Sequence, residues 1–332
     1  MIRIATFNLE NLDEDKPGQR GPSFAERAAV LRPMLARLRA DLICFQEING
    51  QEREGQPRDI LTLKELLAGT RYQNHTLVST RTTTGQVYDE RNLVTAIRPD
   101  ITVEEVRQIR HDIVPRPVYR TVTGGDGVPD ELTWERPLLY TRLADAAGRK
   151  LHVLNVHFKS KLASNVPGQK ADSYTWRSAA GWAEGFILSS IKRVGAALEA
   201  RVLIDRIFDA DADANIVVAG DFNAKSDEVP VMAIRGRVED TGNGTLAGRV
   251  MVPLEDNVPE TSRFSLIHQG RGEMIDHILV SRRMLAAFRH TEIHNEILPD
   301  ESVAFATDLK FPESDHAPVV AEFDVDLMPA HA

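Results

Sequence analysis

The sequence predicts one large domain of mixed α and β structure. Its composition is that of an ordinary globular protein, with 42% hydrophobic and 27% charged residues among 332, so the chain can bury a core. Short β-type runs alternate with a few amphipathic helical segments, and no repeat, low-complexity tract or linker divides them. We therefore expect a single domain over residues 1–326, followed by a short C-terminal tail at residues 327–332.

The first elements are predicted as a strand, a helix and a second strand. Ile2–Phe7 is an apolar run typical of a buried strand. Ser23, with Glu26 three residues later, forms a capping-box pattern, and the apolar residues that follow recur at helical spacing. Asp41–Gln46 is the next strand, and it brings Glu47 to its end.

The later elements continue this alternation. We expect a helix at Ile60–Leu67 and a mostly helical segment at Ser173–Ala210, which glycines interrupt. Leu138–Leu143 and Leu151–Val156 flank Gly148, a pattern typical of paired strands. The other strand candidates are Tyr72–Val78, Leu93–Arg98, Ile101–Ile109, Asn215–Ala219, Arg263–His268, Met274–Val280 and Pro318–Val325.

Charge and cysteine content exclude several classes of protein. There are 40 Lys and Arg against 49 Asp and Glu, a net charge of −9, which excludes a strongly basic protein that coats nucleic acid. The single cysteine, Cys44, excludes an internal disulfide or a multi-cysteine metal site and fits a reducing compartment. The sequence shows neither a signal-peptide pattern nor an apolar run of the roughly 20 residues that a membrane span needs. We therefore expect a cytoplasmic protein without a membrane span or an obligate protein partner.

Many of the predicted strands end in a side chain that can carry chemistry. Carboxylates forced together repel and raise one another's pKa unless a cation neutralises them. Oxygen-rich ligands without cysteine suit Mg²⁺ or Mn²⁺ better than zinc, although the histidines leave zinc open. We expect one or two such ions, with positions free for a phosphate. The strand-end groups are Asn8, Glu47, Asn155, His157, Asp221, Asn223, Asp276, His277, Asp315 and His316.

Each of these residues also has a structural interpretation. A lone His157 is more often a packed ring, and Asp221 with Asn223 suits an Asx turn as well as catalysis. Glu47 at a strand end is equally a surface carboxylate. Their combination favours phosphodiester hydrolysis, which needs an activated water, an electrophilic clamp on the phosphoryl oxygens and a proton for the leaving oxygen.

Six short motifs resemble those of the endonuclease/exonuclease/phosphatase superfamily, which includes pancreatic-type deoxyribonucleases, abasic-site endonucleases, neutral sphingomyelinases and inositol-polyphosphate phosphatases. They occur in the family's order and span nearly the whole chain. The motifs are Thr6-Phe7-Asn8-Leu9, Phe45-Gln46-Glu47, Asn155-Val156-His157, Gly220-Asp221-Phe222-Asn223, Ile275-Asp276-His277-Ile278-Leu279 and Ser314-Asp315-His316. The resemblance implies a metal-dependent phosphoric ester hydrolase. It also implies a four-layer α/β sandwich, with two mainly antiparallel β-sheets packed face to face and helices outside.

The resemblance further implies roles for the metal-binding and water-activating residues. Glu47 would be the principal metal ligand, with Asn8 beside it and Asp315 near the ion. Asp221 would orient or deprotonate the attacking water. Asn223 would hold the scissile phosphate.

The histidines receive roles in the same way. His157 and His316 would contact phosphoryl oxygens or share acid–base duty. Asp276 would be an orienting carboxylate, with His157 as its expected partner. His277 stands where many relatives have an aromatic residue, so we expect it to pack or to contact substrate, not to catalyse.

The substrate is predicted less closely than the reaction. The expected substrate-binding residues are Asn155, Arg136 and Lys159. The motif Asn155-Val156-His157 resembles the deoxyribonuclease and lipid-phosphodiesterase pattern more than the abasic-site pattern. His157-Phe158-Lys159-Ser160-Lys161 resembles an element of bacterial secreted nucleases in this superfamily. A nuclease acting on DNA or RNA is the leading interpretation. A hydrolase of a small phosphate ester, such as a nucleotide, inositol phosphate or phospholipid headgroup, is the alternative, and a catalytically silent scaffold is a third.

The arginines before the third motif bear on this choice. Most of them are expected to be solvated surface residues paired with nearby acids. Arg136 is the exception, because it immediately precedes a predicted core strand and can point into the site. The nine residues are Arg71, Arg81, Arg91, Arg98, Arg107, Arg110, Arg116, Arg120 and Arg136.

Overall fold

A computed structural model describes residues 1–125, 127–307 and 310–328. Its strands, in chain order, are β1 (Ile2–Leu12), β2 (Leu42–Ile48), β3 (Gln51–Arg53), β4 (Gln56–Asp59), β5 (Thr76–Ser79), β6 (Asn92–Ile97), β7 (Thr102–Ile109), β8 (Val118–Tyr119), β9 (Asp130–Glu131), β10 (Leu138–Ala144), β11 (Lys150–His157), β12 (Ile216–Asp221), β13 (Met251–Pro253), β14 (Leu266–His268), β15 (Arg271–Glu273), β16 (Asp276–Ser281), β17 (Phe288–Ile293) and β18 (Val319–Phe323). Its α-helices are α1 (Phe24–Leu38), α2 (Leu61–Leu67), α3 (Ala179–Ala210), α4 (Val229–Arg235), α5 (Val238–Thr241) and α6 (Glu301–Ala306). Short 3₁₀ turns lie between the later strands.

Two six-stranded sheets have the same internal plan. The first has the order β17-β18-β1-β2-β6-β5 and the second β13-β16-β12-β11-β10-β7. Each contains one parallel pair at its centre, β1 with β2 and β11 with β12, and the other pairs are antiparallel. The two central pairs place the carboxyl ends of four strands where the catalytic candidates stand.

The alternation of side chains along the strands builds four layers. On β1, Ile2 and Ile4 face a core shared with Val153, Val217 and other residues of the second sheet, because successive side chains of a strand point to opposite faces. Residues of the opposite face pack against α1 and α2. The outer face of the second sheet packs against α3 and α4 in the same way. The predicted four-layer α/β sandwich is therefore confirmed.

Local predictions agree with the structure at the start of α1 and in the hairpin, but not at the start of α3. Ser23 caps α1 and both hydrogen bonds of the capping box with Glu26 are present. The strands on either side of Gly148 pair antiparallel as β10 and β11. The predicted helix over Ser173–Ala210 begins later than expected, after its cap at Ser178.

Three further predictions can be compared with the structure: the strands near the C-terminus, the tail and the membrane span. The edge strand β17 (Phe288–Ile293) was not predicted, since its side chains are half-buried or exposed and show little hydrophobic alternation. Most of the tail predicted at residues 327–332 lies outside the described residues, which end at 328. Within the part of the chain that is described, no helix has the length and apolar character needed to cross a membrane.

Candidate active site

Strand register places three of the predicted catalytic residues side by side. His157 at the end of β11 lies opposite Asp221 at the end of β12. Asp221 in turn lies opposite Asp276 at the start of β16. The registers of β11 with β12 and of β12 with β16 therefore bring these side chains to one edge of the second sheet.

Gly220 makes this register possible. A Cβ atom built at Gly220 would lie 1.9 Å from the carbonyl oxygen of Val156 on the neighbouring strand, and the backbone φ of Gly220 is 152°. No side chain fits at that distance. The glycine of the Gly-Asp-x-Asn motif is thus required by the close approach of β11, next to Asp221.

The first sheet contributes Asn8 and Glu47 from its own parallel pair. Asn8 and Gln46 are partners in the register of β1 and β2, and Glu47 follows directly. Asn8 Nδ2 donates to Asp221 Oδ2 at 3.1 Å, a contact between the two sheets. The site therefore lies where the ends of the two central strand pairs meet.

Asp221 lies at the centre of the polar cluster. It is 1% exposed. Besides the bond from Asn8, it accepts hydrogen bonds from the backbone N–H of Asn223 at 2.8 Å and from Asn223 Nδ2 at 3.0 Å. Burial raises the pKa of Asp221 to about 7, an effect opposed by His316 and increased by Asp276 and Glu47. The group therefore sits where a carboxylate can take up a proton near neutral pH.

Asp276 pairs with His316. The sequence instead predicts His157 as its partner, and that prediction is wrong. His316 Nδ1 lies 2.7 Å from Asp276 Oδ2, whereas His316 Nε2 faces Asp221 Oδ2 at 3.9 Å. Burial lowers the pKa of His316, but the charges of Asp276 and Asp221 outweigh it and raise that pKa well above its ordinary value. This environment favours the protonated form of the ring, and its Nε2 faces the cluster.

His157 has a different environment. Its Nε2 lies 3.3 Å from Asp221 Oδ2 and 3.6 Å from Glu47 Oε1. Burial, together with the positive charge of Arg136, holds the pKa of His157 well below its ordinary value. The two histidines therefore differ: their surroundings lower the pKa of His157 and raise the pKa of His316.

A second acidic group, which the sequence did not reveal, adjoins the first. Glu10 accepts a hydrogen bond from the backbone N–H of Asp315 at 3.2 Å. Burial and the charge of Asp315 raise the pKa of Glu10 to about 7. Burial also raises the pKa of Asp315 to about 6, with Glu47 adding to the effect and His316 opposing it. Glu10 could have been found from the sequence only if the first strand had been predicted to continue beyond Asn8, as β1 does.

The donor set fits a divalent cation. Buried oxygens of Asp276 (Oδ1) and Asp315 (Oδ1) accept no hydrogen bond from the described residues, and crowded carboxylates of this kind are stabilised by a bound cation. Asp221, Asp276 and His316 bring potential ligand atoms within 4.8 Å of one another. His316 Nδ1 is already engaged by Asp276 Oδ2 at 2.7 Å, so only its Nε2 faces the cluster. Glu47, whose Oε2 accepts from the backbone N–H of Asn11 at 3.0 Å, faces the cavity.

Most of these residues line a cavity of about 310 Å³: Asn8, Glu10, Glu47, His157, Asp221, Asn223, Asp315 and His316. Asp276 does not line it and reaches the site through its contact with His316. Four cationic side chains line its wall: Arg91, Arg136, Lys159 and Lys310.

Of the nine arginines between the second and third motifs, only Arg98 and Arg116 form ion pairs with described residues, with Asp41 and Glu131 respectively. The expectation that most of the nine are paired with nearby acids is therefore wrong. Arg91 and Arg136 differ from the other unpaired arginines because they line the cavity. The expectation that Arg136 is exceptional agrees with its position, and Arg91 is a second arginine of the same kind.

The backbone around the cavity is conformationally strained. Of the eight described non-glycine residues with positive φ, five line this cavity: Glu10, Asn11, Glu47, Arg91 and Asn223. A non-glycine residue in this region costs on the order of 1 kcal/mol or more. Such positions concentrate at functional sites, so the strain is an independent indication that the cavity is functional.

Two singled-out residues lie away from the cavity. Asn155 is completely buried between the sheets, where it accepts from Gln46 Nε2 at 2.9 Å and donates to the carbonyl oxygens of Phe45 and Val94. Direct contact between Asn155 and substrate therefore has no support in this structure. His277 is also completely buried, between Glu255 and the carbonyl of Ala224, as expected for a packed ring.

Comparison with known proteins agrees with this site. The model of the endonuclease/exonuclease/phosphatase family matches residues 5–316. A search of curated proteins found no match. Among solved structures, an endonuclease/exonuclease/phosphatase from Bacteroides vulgatus is 18% identical, with a TM-score of 0.57 and coverage of 97% of this chain and 98% of that chain.

Two further structures have the same fold. The mannosyl-6-phosphatase of Bacteroides thetaiotaomicron is 16% identical, with a TM-score of 0.59 and coverage of 98% and 100%. The Neisseria 3′ phosphatase NExo, bound to a product DNA hairpin, is 16% identical, with a TM-score of 0.54 and coverage of 98% and 100%. At these identities the likeness concerns the fold alone.

Fold and site together define a phosphoric ester hydrolase. The chain belongs to the endonuclease/exonuclease/phosphatase family. Members of this family depend on divalent metal ions, which accords with the crowded carboxylates at the cavity.

Proposed function

We propose that this protein hydrolyses phosphodiester bonds of nucleic acid, DNA or RNA, by attack of a water molecule activated at Asp221. The observation that carries the proposal is the joint placement, on one cavity wall, of a buried acid–base cluster and of two arginines that form no ion pair with the residues the structure describes. A cluster of this kind supplies proton transfer, and the guanidinium groups supply bidentate phosphate contacts.

Each proton in the reaction has an assigned position. Asp221 takes the proton of the attacking water as the new P–O bond forms. His316, oriented by Asp276, donates its Nε2 proton to the departing oxygen as the old P–O bond breaks. His157 and Asn223 bind phosphoryl oxygens, which gain negative charge in the transition state.

Glu47, Asn8 and Asp315 would hold a divalent ion, Mg²⁺ or Mn²⁺, as one ion or two. The ion would supply positive charge to the phosphoryl oxygens and the departing oxygen. Asn8 also positions Asp221 directly, through the hydrogen bond that joins the sheets.

A small phosphate ester is the second candidate substrate. The cavity volume of about 310 Å³ suits a compact ligand, and a net charge of −9 opposes long-range attraction of a polyanion. The fold does not decide, since one structure with this fold is bound to a DNA hairpin and another is a mannosyl-6-phosphatase. The cations Arg91, Arg136 and Lys159 favour the polymer, because one ester group does not require all three.

The test is a substrate panel with purified protein. We expect hydrolysis of single-stranded DNA, double-stranded DNA or RNA in Mg²⁺ or Mn²⁺, and loss of that hydrolysis in EDTA. Bis-p-nitrophenyl phosphate and p-nitrophenyl phosphate complete the panel. Activity confined to these small esters would contradict the nuclease proposal and favour the second candidate.

A further inference from the structure

A second cavity, of about 870 Å³, opens beside the first. The two share lining residues, including the catalytic candidates Asn223 and His316. The second cavity therefore lies directly beside the place where a phosphate would bind.

One wall of this cavity is aromatic. Trp182 and Phe186, one turn apart on α3, have ring centroids 5.5 Å apart and an interplanar angle of 19°. They are 47% and 38% exposed. Exposed aromatic surface of this extent is costly unless a ligand covers it, and flat rings bind other flat rings through stacking.

Polar side chains line the cavity elsewhere. His268, Gln269 and Glu273 come from the β14–β15 hairpin, and Gln269 has a φ of 49° in its turn. His268 Nδ1 already contacts Glu301 at 2.7 Å, whereas Gln269 offers both a donor and an acceptor to the cavity. The rest of the lining is largely apolar and includes Leu266 and Ile275. An acyl chain would use only the apolar part of this lining, whereas a nucleobase presents a flat face to the rings and hydrogen-bonding edges to the polar groups.

We propose that the second cavity is a subsite for the nucleobase next to the scissile phosphate, with Trp182 as its stacking platform. This inference rests on the proposed nuclease function and adds a substrate class to it. A base inside a duplex is stacked on both faces and cannot reach the subsite without unpairing. The enzyme therefore prefers single-stranded nucleic acid.

The experiment compares two single-stranded substrates, oligothymidylate and the same backbone carrying abasic tetrahydrofuran residues. For Trp182→Ala we expect the KM for oligothymidylate to rise about 10-fold while the KM for the abasic strand stays unchanged, because only the former has a base to stack. Trp182→Phe should keep most of the preference. Leu198→Ala, an equally exposed position on the same helix but in another groove, is the matched control.

Fluorescence provides a readout that does not depend on turnover. In the Asp221→Asn background, oligothymidylate should quench tryptophan emission, and the further change Trp182→Phe should remove most of that quenching. Circular dichroism of each variant verifies folding, which the exposed position of Trp182 favours.

The outcomes separate this inference from the proposed function. If Trp182→Ala has the same KM as wild type for each of the two strands, while both proteins hydrolyse nucleic acid, the subsite is wrong and the nuclease function stands. An equal rise in KM for both strands would assign the Trp182 contact to the backbone and overturn the inference. Failure of wild type to hydrolyse any nucleic acid would contradict the nuclease proposal itself, and the subsite with it.

Discussion

At the scale of single residues, the pair formed by Asp276 and His316 has the most direct consequence for catalysis. Both side chains are buried, and Asp276 Oδ2 lies 2.7 Å from His316 Nδ1. Without this carboxylate the ring would lose both its orientation and the charge that keeps it protonated. The neighbouring Asp221, 3.9 Å from the ring, does not replace that contact.

We predict that Asp276→Asn lowers kcat by about 10² to 10⁴-fold with little change in KM, because proton donation to the departing oxygen fails while phosphate contacts remain. Steady-state kinetics on the best substrate of the panel measure this effect. Asp256→Asn, a change in a solvent-exposed carboxylate far from the cavity, should leave kcat unaltered. A folded Asp276→Asn protein with normal kcat would show that His316 is not the proton donor.

Sequence reasoning identified both members of this pair but assigned the wrong partner. The motif Ile275-Asp276-His277 reveals that a carboxylate stands at a strand start, yet its partner depends on where residues 314–316 return to the first sheet. Ser314 fixes that return, since its Oγ donates to the carbonyl oxygen of Asn8 at 2.8 Å. Such a contact over 306 positions of sequence cannot be read from local pattern.

At the scale of elements, α3 shows how a glycine inside a helix serves packing. A Cβ at Gly195 would lie 2.2 Å from the ring of Trp134. The indole N–H of Trp134 donates to Glu199 Oε2 at 2.8 Å, and Glu199 also accepts backbone N–H groups of the segment that follows β7. Trp134 is thus fixed against α3.

We predict that Gly195→Ala destabilises the protein by about 1–3 kcal/mol, since the added methyl group overpacks against the ring. The direction of the change in the free energy of unfolding is diagnostic, because alanine ordinarily stabilises a helix by about 1 kcal/mol relative to glycine. Urea unfolding provides the measurement. Gly244→Ala, with nothing within 4 Å of its added methyl group, should be close to neutral. A stabilised Gly195→Ala variant would contradict the packing account.

The helix itself was predictable and its glycines were not understood. Apolar spacing predicts most of Ser173–Ala210 as helix, and the glycines were interpreted as interruptions. The structure has one continuous helix from Ala179. Gly185 and Gly195 do not interrupt it; they leave room for Trp176 and Trp134 to pack against its backbone. Which ring meets which glycine is decided by tertiary packing, for which sequence spacing carries no signal.

At the scale of the whole molecule, a buried arginine joins three strands of the first sheet. Arg3 on β1 is 7% exposed and forms ion pairs with Glu322 on β18 and Glu292 on β17. Burial alone would raise the pKa of Glu292, but hydrogen bonds from Arg3 and His290 outweigh it and lower that pKa to about 2. Because the folded pKa lies below the ordinary value of 4.5, this carboxylate stabilises the fold above pH 4.5, and its contribution disappears as the pH falls from 4.5 toward 2.

We predict that Glu292→Gln is less stable than wild type at pH 7, and that the difference between them shrinks as the pH falls through the window from 4.5 to about 2. Urea unfolding across that pH range measures it. Glu296→Gln breaks an exposed pair with Arg37 and should cost at most about 1 kcal/mol at any pH. A constant difference between Glu292→Gln and wild type over the whole range would refute the role given to this carboxylate.

The fold as a whole was accessible from sequence because its motifs occupy strand ends in a fixed order. The two central parallel pairs convert that order into proximity, so Asn8, His157 and Asp221 meet as expected. What the sequence could not supply is the second acidic group at Glu10 and the neighbouring aromatic cavity at Trp182. Neither follows a motif, and each depends on how separate layers come together.

Hydrolysis by wild type and Asp221→Asn, measured side by side in Mg²⁺ or Mn²⁺, tests the central claim most directly. The substitution keeps the size of the side chain and removes its capacity to take a proton from water. We expect kcat to fall by about 10³-fold or more, while Asp227→Asn, an exposed change six residues away, behaves as wild type. A folded Asp221→Asn enzyme that hydrolyses the same substrate at a near-normal rate would contradict the account of this site.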